Sequence, residues 1–261
     1  TKSPIQLISE TLSLEVRTPK SFKDNDEEYK YLKELNPDLV LVVAYGQIIP
    51  ENFLRLAKKG FINIHASLLP NYRGAAPIQR AIMNLDNETG ISIMKIEEEL
   101  DSGPVGNIYK IKLDYTLNAQ EISEKLSFLA AEKILDNVDE VLDDKANFIT
   151  QDHSKASYAK KIDKAEGKIN WNDNALNILG KINGLYPFPG AFFNFSGERY
   201  KVLKAEIGNG QGKVGEVISN KLEIMCGNNQ SIKILEIQRS GKKPQKIGEF
   251  MLGSQIKKGL I

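Results

Sequence analysis

Several residue types that build common functional sites are scarce in this chain of 261 residues. It contains one cysteine, Cys226, and two histidines, His65 and His153. A single cysteine cannot form a disulfide within the chain, which favours a reducing compartment. So small a set of soft ligands argues against a zinc site of usual composition, and we predict no metal site.

Long hydrophobic runs are also absent. No apolar stretch approaches the roughly 18 residues that a membrane helix needs, so we predict no membrane partner. Residues 1–14 lack the apolar core of a signal peptide and the Arg-rich character of a transit peptide. What remains is ordinary globular composition, with 41% hydrophobic and 26% charged residues. The length exceeds the roughly 100–200 residues of one domain, so we predict two domains.

Net charge is almost zero over the whole chain, at +1, but it is unevenly distributed. Residues 1–150 hold 17 Lys and Arg against 24 Asp and Glu, whereas residues 151–261 hold 18 against 10. The two parts therefore carry net charges of −7 and +8. Such asymmetry indicates a nucleic acid or another anionic partner for the basic part. A solvated lysine-rich surface is the alternative interpretation.

The first 150 residues alternate between strand and helix patterns. Residues 38–45 form a β-branched apolar run, typical of a parallel strand covered on both faces. A short strand containing Asn63 and His65 follows, and a turn at residues 87–90 leads to a strand at residues 91–96. Helices are predicted at residues 4–14, 27–35, 51–59 and 77–83, and after a capping box formed by Asn118 and Glu121. This order predicts a doubly wound, Rossmann-like α/β domain over residues 1–150.

The pattern changes after residue 150. Residues 151–165 are polar and lysine-rich, which predicts a linker. Residues 166–261 contain one helical pattern, at residues 174–182, followed by short apolar runs separated by glycine and asparagine. Strands are predicted at residues 191–195, 200–205, 215–218, 222–225 and 232–237. Several short strands with regular turns are typical of a small, OB-like antiparallel β-barrel.

The strand around Asn63 and His65 is the strongest candidate for a site. Residues two apart on a strand share a face, and open α/β sheets build their sites at the carboxyl ends of strands. Asp101, in an acidic loop, is the carboxylate best placed to join them. An amide and an imidazole can stabilise an oxyanion while a carboxylate orients the imidazole, which suits acyl transfer to an amine. A half-buried structural histidine and a solvated acidic loop would fit the same pattern.

A covalent mechanism through Ser67, His65 and Asp101 is the competing interpretation. Ser67 is only two residues from His65 and does not lie on a G-x-S-x-G nucleophile elbow. A serine just after a strand more often stabilises a turn. We therefore favour a mechanism without an acyl-enzyme.

The motifs around these residues resemble a known family. Residues 63–70 match the N-x-H-x-S-L-L-P signature of enzymes that use 10-formyltetrahydrofolate. Further matches are Arg73-Gly74-Ala75-Ala76-Pro77-Ile78-Gln79, Leu100-Asp101-Ser102-Gly103, Tyr186-Pro187-Phe188-Pro189-Gly190-Ala191 and Gln238-Arg239-Ser240-Gly241-Lys242-Lys243-Pro244. Together they resemble the methionyl-tRNA formyltransferases and span nearly the whole chain.

This resemblance implies formyl transfer from 10-formyltetrahydrofolate to the α-amine of methionine on initiator methionyl-tRNA, for translation initiation. The family's catalytic residues fall on Asn63, His65 and Asp101. Its folate site falls on Ser67, Leu68, Leu69 and Pro70, with Tyr45 and Gly46 expected to line the pterin pocket. We expect a monomer in the bacterial cytoplasm, with an organelle matrix as the alternative, and a basic barrel that binds tRNA phosphates.

One departure from the family concerns the start of the chain. Family members place a strand, a helix and a strand ahead of the segment that resembles residues 1–4, so we expect a fragment that lacks the first strands of the sheet. Two alternative functions remain: a folate-dependent formyltransferase for an amino-sugar nucleotide, or a catalytically silent RNA-binding module. The hydrolase domain of formyltetrahydrofolate dehydrogenase shares the same three site residues.

Overall fold

A computed structural model describes residues 2–254 and 256–260 and contains two β-sheets. The predicted ranges 1–150 and 166–261 include Thr1, Gln255 and Ile261, which lie outside the described residues. The first sheet holds the candidate site, and the second forms most of the basic part of the chain. No helix among the described residues is both long enough and apolar enough to cross a membrane.

The first sheet has four strands in sequential order. They are β1 (Val40–Val43), β2 (Phe61–His65), β3 (Glu88–Lys95) and β4 (Val105–Lys112). β1 and β2 are parallel, as the β-α-β pattern predicts. β3 runs antiparallel to both β2 and β4, so the sheet is mixed rather than uniformly parallel. The α/β class is confirmed, with this change of strand direction.

β1 differs from its prediction as a strand covered on both faces. Leu41 is 41% exposed and Val43 is 55% exposed, whereas Ile62 on the neighbouring strand is fully buried. β1 pairs only with β2 among the described residues and therefore forms an edge of this sheet. The predicted strand is present, but burial on both of its faces is not observed among the described residues.

Two further predictions in this region were wrong. Residues 87–90 are not a turn, because β3 begins at Glu88 and Gly90 pairs with Lys110 of β4. A Cβ atom on Gly90 would lie 2.0 Å from the Tyr109 carbonyl oxygen, so the glycine permits close strand approach. The helix expected at residues 51–59 is only α3 (Glu51–Leu54). It stops early because the amides of Lys58 and Lys59 bond to Pro37 and Asp38 instead of to the preceding turn.

The other helices of this part agree with the sequence patterns. They are α1 (Pro4–Thr11), α2 (Asp26–Leu35), α4 (Pro77–Met83) and α5 (Ala119–Leu142). The capping box of Asn118 and Glu121 is present at the start of α5. Ile122 and Leu126 of α5 are buried in one cluster with Ile91 of β3, so this helix covers the face of the sheet behind the site.

The second sheet is antiparallel and has seven strands, which confirms the predicted class of the basic part. Its elements are α6 (Ala175–Gly184), β5 (Ala191–Phe195), β6 (Glu198–Gly208), β7 (Glu216–Val217), β8 (Glu223–Met225), β9 (Ser231–Arg239), β10 (Gln245–Lys246), α7 (Ile247–Leu252) and β11 (Gly259–Leu260). Cys226 lies in its core, where burial raises the pKa of the thiol to about 11. A thiol that stays protonated in a core packs as a small apolar residue.

The residues predicted to form a linker pack against the first part of the chain. Ile149 pairs with Val105 at the start of β4, and Tyr158 pairs with Arg73. The Ala159 carbonyl accepts hydrogen bonds from the amides of Ala75 and Ala76, at 3.0 and 3.2 Å. We define residues 151–160 as the strap, because they lie across the turn that follows β2.

Candidate active site

The candidate site forms where β2 ends. Asn63 and His65 share one face of the strand, because residues two apart point the same way. Ile62 and Ile64 point to the opposite face and pack into the core behind the site. Asn63 is half-buried, whereas His65 is only 6% exposed. The sequence pattern therefore places an amide and an imidazole side by side on a rigid strand.

The ring of His65 is held between a backbone carbonyl and a carboxylate. Nε2 lies 2.9 Å from the carbonyl oxygen of Tyr72, and Nδ1 lies 3.6 Å from Oδ2 of Asp101. A carbonyl can only accept, so Nε2 must carry a hydrogen. The remaining nitrogen, Nδ1, faces Asp101. Any proton that the imidazole exchanges therefore passes through Nδ1, on the side of the carboxylate.

Asp101 is fixed by a backbone amide from the turn after β2. The amide of Gly74 donates a hydrogen bond to Oδ2 of Asp101 at 2.8 Å. Gly74 has a φ of +110°, and a Cβ atom there would lie 3.1 Å from the carbonyl oxygen of Ala159. Only glycine combines this backbone conformation with such close contact to the strap. The structure thus brings the predicted residues His65 and Asp101 together.

Tyr72 positions His65 and was not identified from the sequence. Its amide donates to Ser157 Oγ at 2.9 Å, and its hydroxyl donates to Asp86 at 2.6 Å. Burial, and next the hydrogen bond to Asp86, raises the pKa of Tyr72 to about 12, so the hydroxyl stays a donor at neutral pH. These contacts fix the carbonyl that holds Nε2 of His65.

Ser67 has a structural role in this arrangement. It is fully buried, and its hydroxyl donates to the carbonyl of Asn71 at 2.6 Å. The Ser67 carbonyl accepts a hydrogen bond from Ser92 Oγ at 2.7 Å. Ser92 Oγ in turn accepts one from the amide of Leu69. These bonds tie the turn to β3. The geometry favours the turn-stabilising interpretation of Ser67 over the covalent one.

The other residues predicted to contact folate lie around the same end of the sheet. Leu69 is buried in a small cluster with Met94 and Val105, whereas Leu68 and Pro70 are half-buried. Tyr45 and Gly46 follow the end of β1, whose Val43 lies opposite Ile64 of β2. Tyr45 is 39% exposed, and Leu100, next to Asp101, is 62% exposed. Exposed apolar groups beside a strand end offer the kind of surface that a planar ring contacts.

Gln151 supports the loop of Asp101 and was also missed. Its Nε2 donates to the carbonyls of Asp101 and Gly103, at 2.9 and 2.7 Å. Its Oε1 accepts from Nε and Nη2 of Arg73, at 3.1 and 2.7 Å. Both hydrogens and both acceptor positions of the amide are thus used. Arg73 is 2% exposed, so Gln151 joins a buried cation to the loop that carries Asp101.

We expect Gln151→Glu to lower kcat for the reaction proposed below about 10- to 100-fold, because small misplacements of a catalytic group carry costs of this size. The substituted carboxylate keeps a partner for Arg73 but cannot donate to the two carbonyls of the loop. Steady-state kinetics should show an unchanged KM for methionyl-tRNA, the expected substrate. Gln120→Glu on the exposed side of α5 is the matched control, and equal losses in both variants would contradict this role.

Among the described residues, no cluster of three His, Cys, Asp or Glu side chains is suited to a metal ion.

Comparison with known proteins agrees with the motifs. A profile described as Formyl transferase matches residues 2–138, and one described as Formyl transferase, C-terminal domain matches residues 161–255. A methionyl-tRNA formyltransferase of Pelagibacter ubique is 67% identical over 258 residues, covering 99% of this chain and 83% of that protein.

The chain belongs to the methionyl-tRNA formyltransferase family. A second methionyl-tRNA formyltransferase, from Rhizobium rhizogenes, is 39% identical over 264 residues and is covered to 83% of its length.

Solved structures support the fold of this methionyl-tRNA formyltransferase family member. WlaRD, a sugar 3N-formyl transferase crystallised with dTDP and 5-N-formyl-THF, aligns with a TM-score of 0.70 at 19% identity. That alignment covers 93% of this chain and 83% of the other. HypX from Aquifex aeolicus, in complex with tetrahydrofolic acid, aligns with a TM-score of 0.65 at 17% identity, over 90% of this chain and 44% of that one.

Proposed function

We propose that this protein transfers the formyl group of 10-formyltetrahydrofolate to the α-amine of methionine on initiator methionyl-tRNA. The observation that carries this proposal is the approach of the half-buried Asp101 to buried His65 at the end of β2, beside Asn63, in a chain of this family. An amide, an imidazole and a carboxylate suit formyl transfer to an amine without a metal or a covalent enzyme intermediate.

The folate co-substrate is proposed to lie across the ends of β1 and β2. Tyr45 and Gly46 are assigned to one side of the pterin pocket, and the turn of Ser67, Leu68, Leu69 and Pro70 to the other. The observation that supports this fit is the exposed apolar surface of Tyr45, just after β1, and of Leu100, which precedes Asp101 in the sequence. Because Ser67 Oγ is bonded to Asn71, we assign its contribution to the turn backbone rather than to the hydroxyl.

The α-amine of methionine attacks the formyl carbon, and a new carbon–nitrogen bond forms as the bond to the folate nitrogen breaks. Asn63 donates its side-chain amide hydrogen to the oxyanion that develops on the formyl oxygen. Protonated His65 supplies a second donor from Nδ1, because Nε2 is engaged with Tyr72. Asp101 accepts the proton that leaves the amine, and the His65–Asp101 pair returns a proton to the departing folate nitrogen.

The basic part of the chain is proposed to bind the tRNA. Its net charge of +8 over residues 151–261 suits phosphate contacts, and the affinity is therefore expected to fall steeply with salt. We place the division of the chain at residues 1–150 for catalysis, 151–165 for the linker and 166–261 for the tRNA-binding domain. The working form is proposed to be a monomer in the bacterial cytoplasm, without a membrane partner.

An assay with two acceptors tests this proposal. The protein is incubated with 10-formyltetrahydrofolate and either initiator methionyl-tRNA or a dTDP-linked amino sugar, and the products are identified by mass. We expect formyl-methionyl-tRNA and no formylated sugar, with tRNA binding that weakens between 50 and 200 mM salt by about 10³-fold or more if six or more phosphates are contacted. Formylation of the sugar alone, or tRNA binding without formylation, would overturn the proposal in favour of the two alternatives.

A further inference from the structure

Phe188 is an exposed aromatic side chain on the basic part of the molecule. It is 67% exposed, although the residues around it are ordered by packing: Leu185 is fully buried, and the amide of Gly190 donates to the Leu185 carbonyl at 2.9 Å. Pro189, which follows it, is buried. A phenyl ring presented to solvent from a packed loop stabilises the fold little and is accessible to a partner.

Two lysines flank this ring. The ammonium groups of Lys164 and Lys201 each lie 5.9 Å from the centre of the Phe188 ring. The side chain of Lys201 lies against Gly190, where a Cβ atom would be 3.0 Å from Cδ of the lysine. Glycine at position 190 therefore leaves room for the lysine to reach the ring. We call Phe188, Lys164 and Lys201 the aromatic platform.

The charges of the platform are not neutralised by the protein. Over described residues 151–254 and 256–260, the ion pairs engage only Lys155, Lys233 and Arg239 among the cations of this part. Lys164 and Lys201 have no carboxylate partner among the described residues. Arg199 lies on the same face of β6 as Lys201, with its guanidinium carbon 3.3 Å from the centre of the Phe192 ring. The surface around Phe188 therefore combines one exposed aromatic ring with two lysines that form no ion pair among the described residues.

The platform is also within reach of a substrate bound at the active site. Ala159 contacts the turn that holds Asp101, and Lys164 follows five residues later. Five residues span at most about 18 Å when fully extended. A tRNA is larger than this distance, so one of its nucleotides can occupy the platform while its methionyl group is at His65.

We propose that Phe188 is a stacking platform for the base of an unpaired tRNA nucleotide, with Lys164 and Lys201 holding the adjoining phosphates. This contact rests on the proposed function and lies outside the catalytic site. An exposed ring flanked by cations is the combination that single-stranded nucleic acid binds, because every base has a face that can stack. An unpaired nucleotide is required, since bases within a duplex have both faces covered.

Fluorescence of Phe188→Trp tests the stacking directly. The chain has one tryptophan, Trp171, which is half-buried and packs against Phe193, so an added tryptophan at position 188 reports on the platform. We expect initiator tRNA to quench the added emission. The matched control is Phe128→Trp on α5 of the acidic part of the chain, where the native side chain is 75% exposed. Equal quenching in both variants, or none at position 188, would overturn the proposal.

Binding and kinetics separate stacking from charge. Phe188→Ala should weaken tRNA binding about 5- to 100-fold and raise KM, with kcat and the salt dependence unchanged, because a stacked base is lost but no phosphate contact. Lys201→Gln should instead reduce the slope of log affinity against log salt by about 0.7–0.9. Phe188→Trp should bind tRNA about as tightly as wild type, because tryptophan keeps the stacking surface that alanine removes. An affinity that is unchanged in Phe188→Ala would refute the platform.

The wild-type protein distinguishes this failure from failure of the proposed function. If wild type formylates methionyl-tRNA and Phe188→Ala binds and reacts normally, only the platform is wrong. If wild type does not formylate methionyl-tRNA, the proposed function itself fails. Quenching of Phe188→Trp by lipid vesicles or by an acidic peptide, but not by tRNA, would assign the surface to a different partner and overturn the proposal.

Discussion

His65→Ala is expected to lower kcat for methionyl-tRNA formylation about 10²- to 10⁴-fold, the range that a positioned acid–base group contributes. In the proposed mechanism the imidazole exchanges protons through Nδ1, which lies 3.6 Å from Oδ2 of Asp101. Its loss also leaves the Asp101 carboxylate with the Gly74 amide as its one hydrogen-bond partner among the described residues. KM for the tRNA should change little, because the proposed tRNA contacts lie on the basic part of the chain. Initial rates at saturating folate measure both constants.

The other histidine of the chain gives a matched control. His153 is exposed, and among the described residues its ring has one polar contact, with the Arg73 guanidinium at 3.4 Å, so His153→Ala should retain activity within about threefold. Added imidazole should partly restore His65→Ala, since the substitution leaves space at the site, and should not affect His153→Ala. Near-normal turnover of His65→Ala, or equal losses in the two variants, would remove His65 from the mechanism.

Asn63→Ala is expected to lower kcat about 10²- to 10³-fold, the usual effect of removing one oxyanion donor. Asn63 lies on a strand that is paired on both sides, with Val42 and Met94 as its neighbours. The backbone is therefore too constrained to move another hydrogen-bond donor into the position of the lost amide. Asn63→Asp should be no more active, because a carboxylate at this position repels the developing oxyanion. Single-turnover rates with bound methionyl-tRNA isolate this effect from binding.

Asn107→Ala provides the comparison for stability. Asn107 lies in β4 of the same sheet, and its side chain donates to Asn137 and Glu140, each at 3.0 Å. Removing these bonds should lower the unfolding temperature by a few degrees and leave kcat unchanged. For Asn63→Ala we expect the opposite result, a lower kcat with little change in the unfolding temperature. If turnover follows the unfolding temperature in both variants, Asn63 is a structural residue and not an oxyanion donor.

The local features of the fold were predictable from the sequence. The proline at the start of α4 and the capping box of α5 are encoded within a few residues, and the structure contains both. β4 was missed, because its alternation only becomes informative once β3 is known to pair with it in an antiparallel ladder.

The candidate site likewise contains some residues that could be identified from the sequence and others that could not. Asn63 and His65 were identified because their spacing on a strand is visible in the sequence, and the spatial approach of Asp101 agrees with the family motif. Gln151 was missed because its partner Arg73 is 78 residues away and an isolated glutamine in a polar stretch carries no signal. Tyr72 was missed because it acts through its backbone carbonyl, which every residue possesses.

The strap gives the site an unusual dependence on the length of one connecting segment. Ala159 bonds to the turn that carries Gly74, while Gln151, eight residues earlier, supports Asp101 from behind. One piece of chain thus holds both the loop of Asp101 and the turn whose Gly74 amide bonds the Asp101 carboxylate, and then continues into the basic part. Lengthening this segment by even one residue between these points would loosen the clamp, so insertions here should be tolerated far less than in an ordinary interdomain connection.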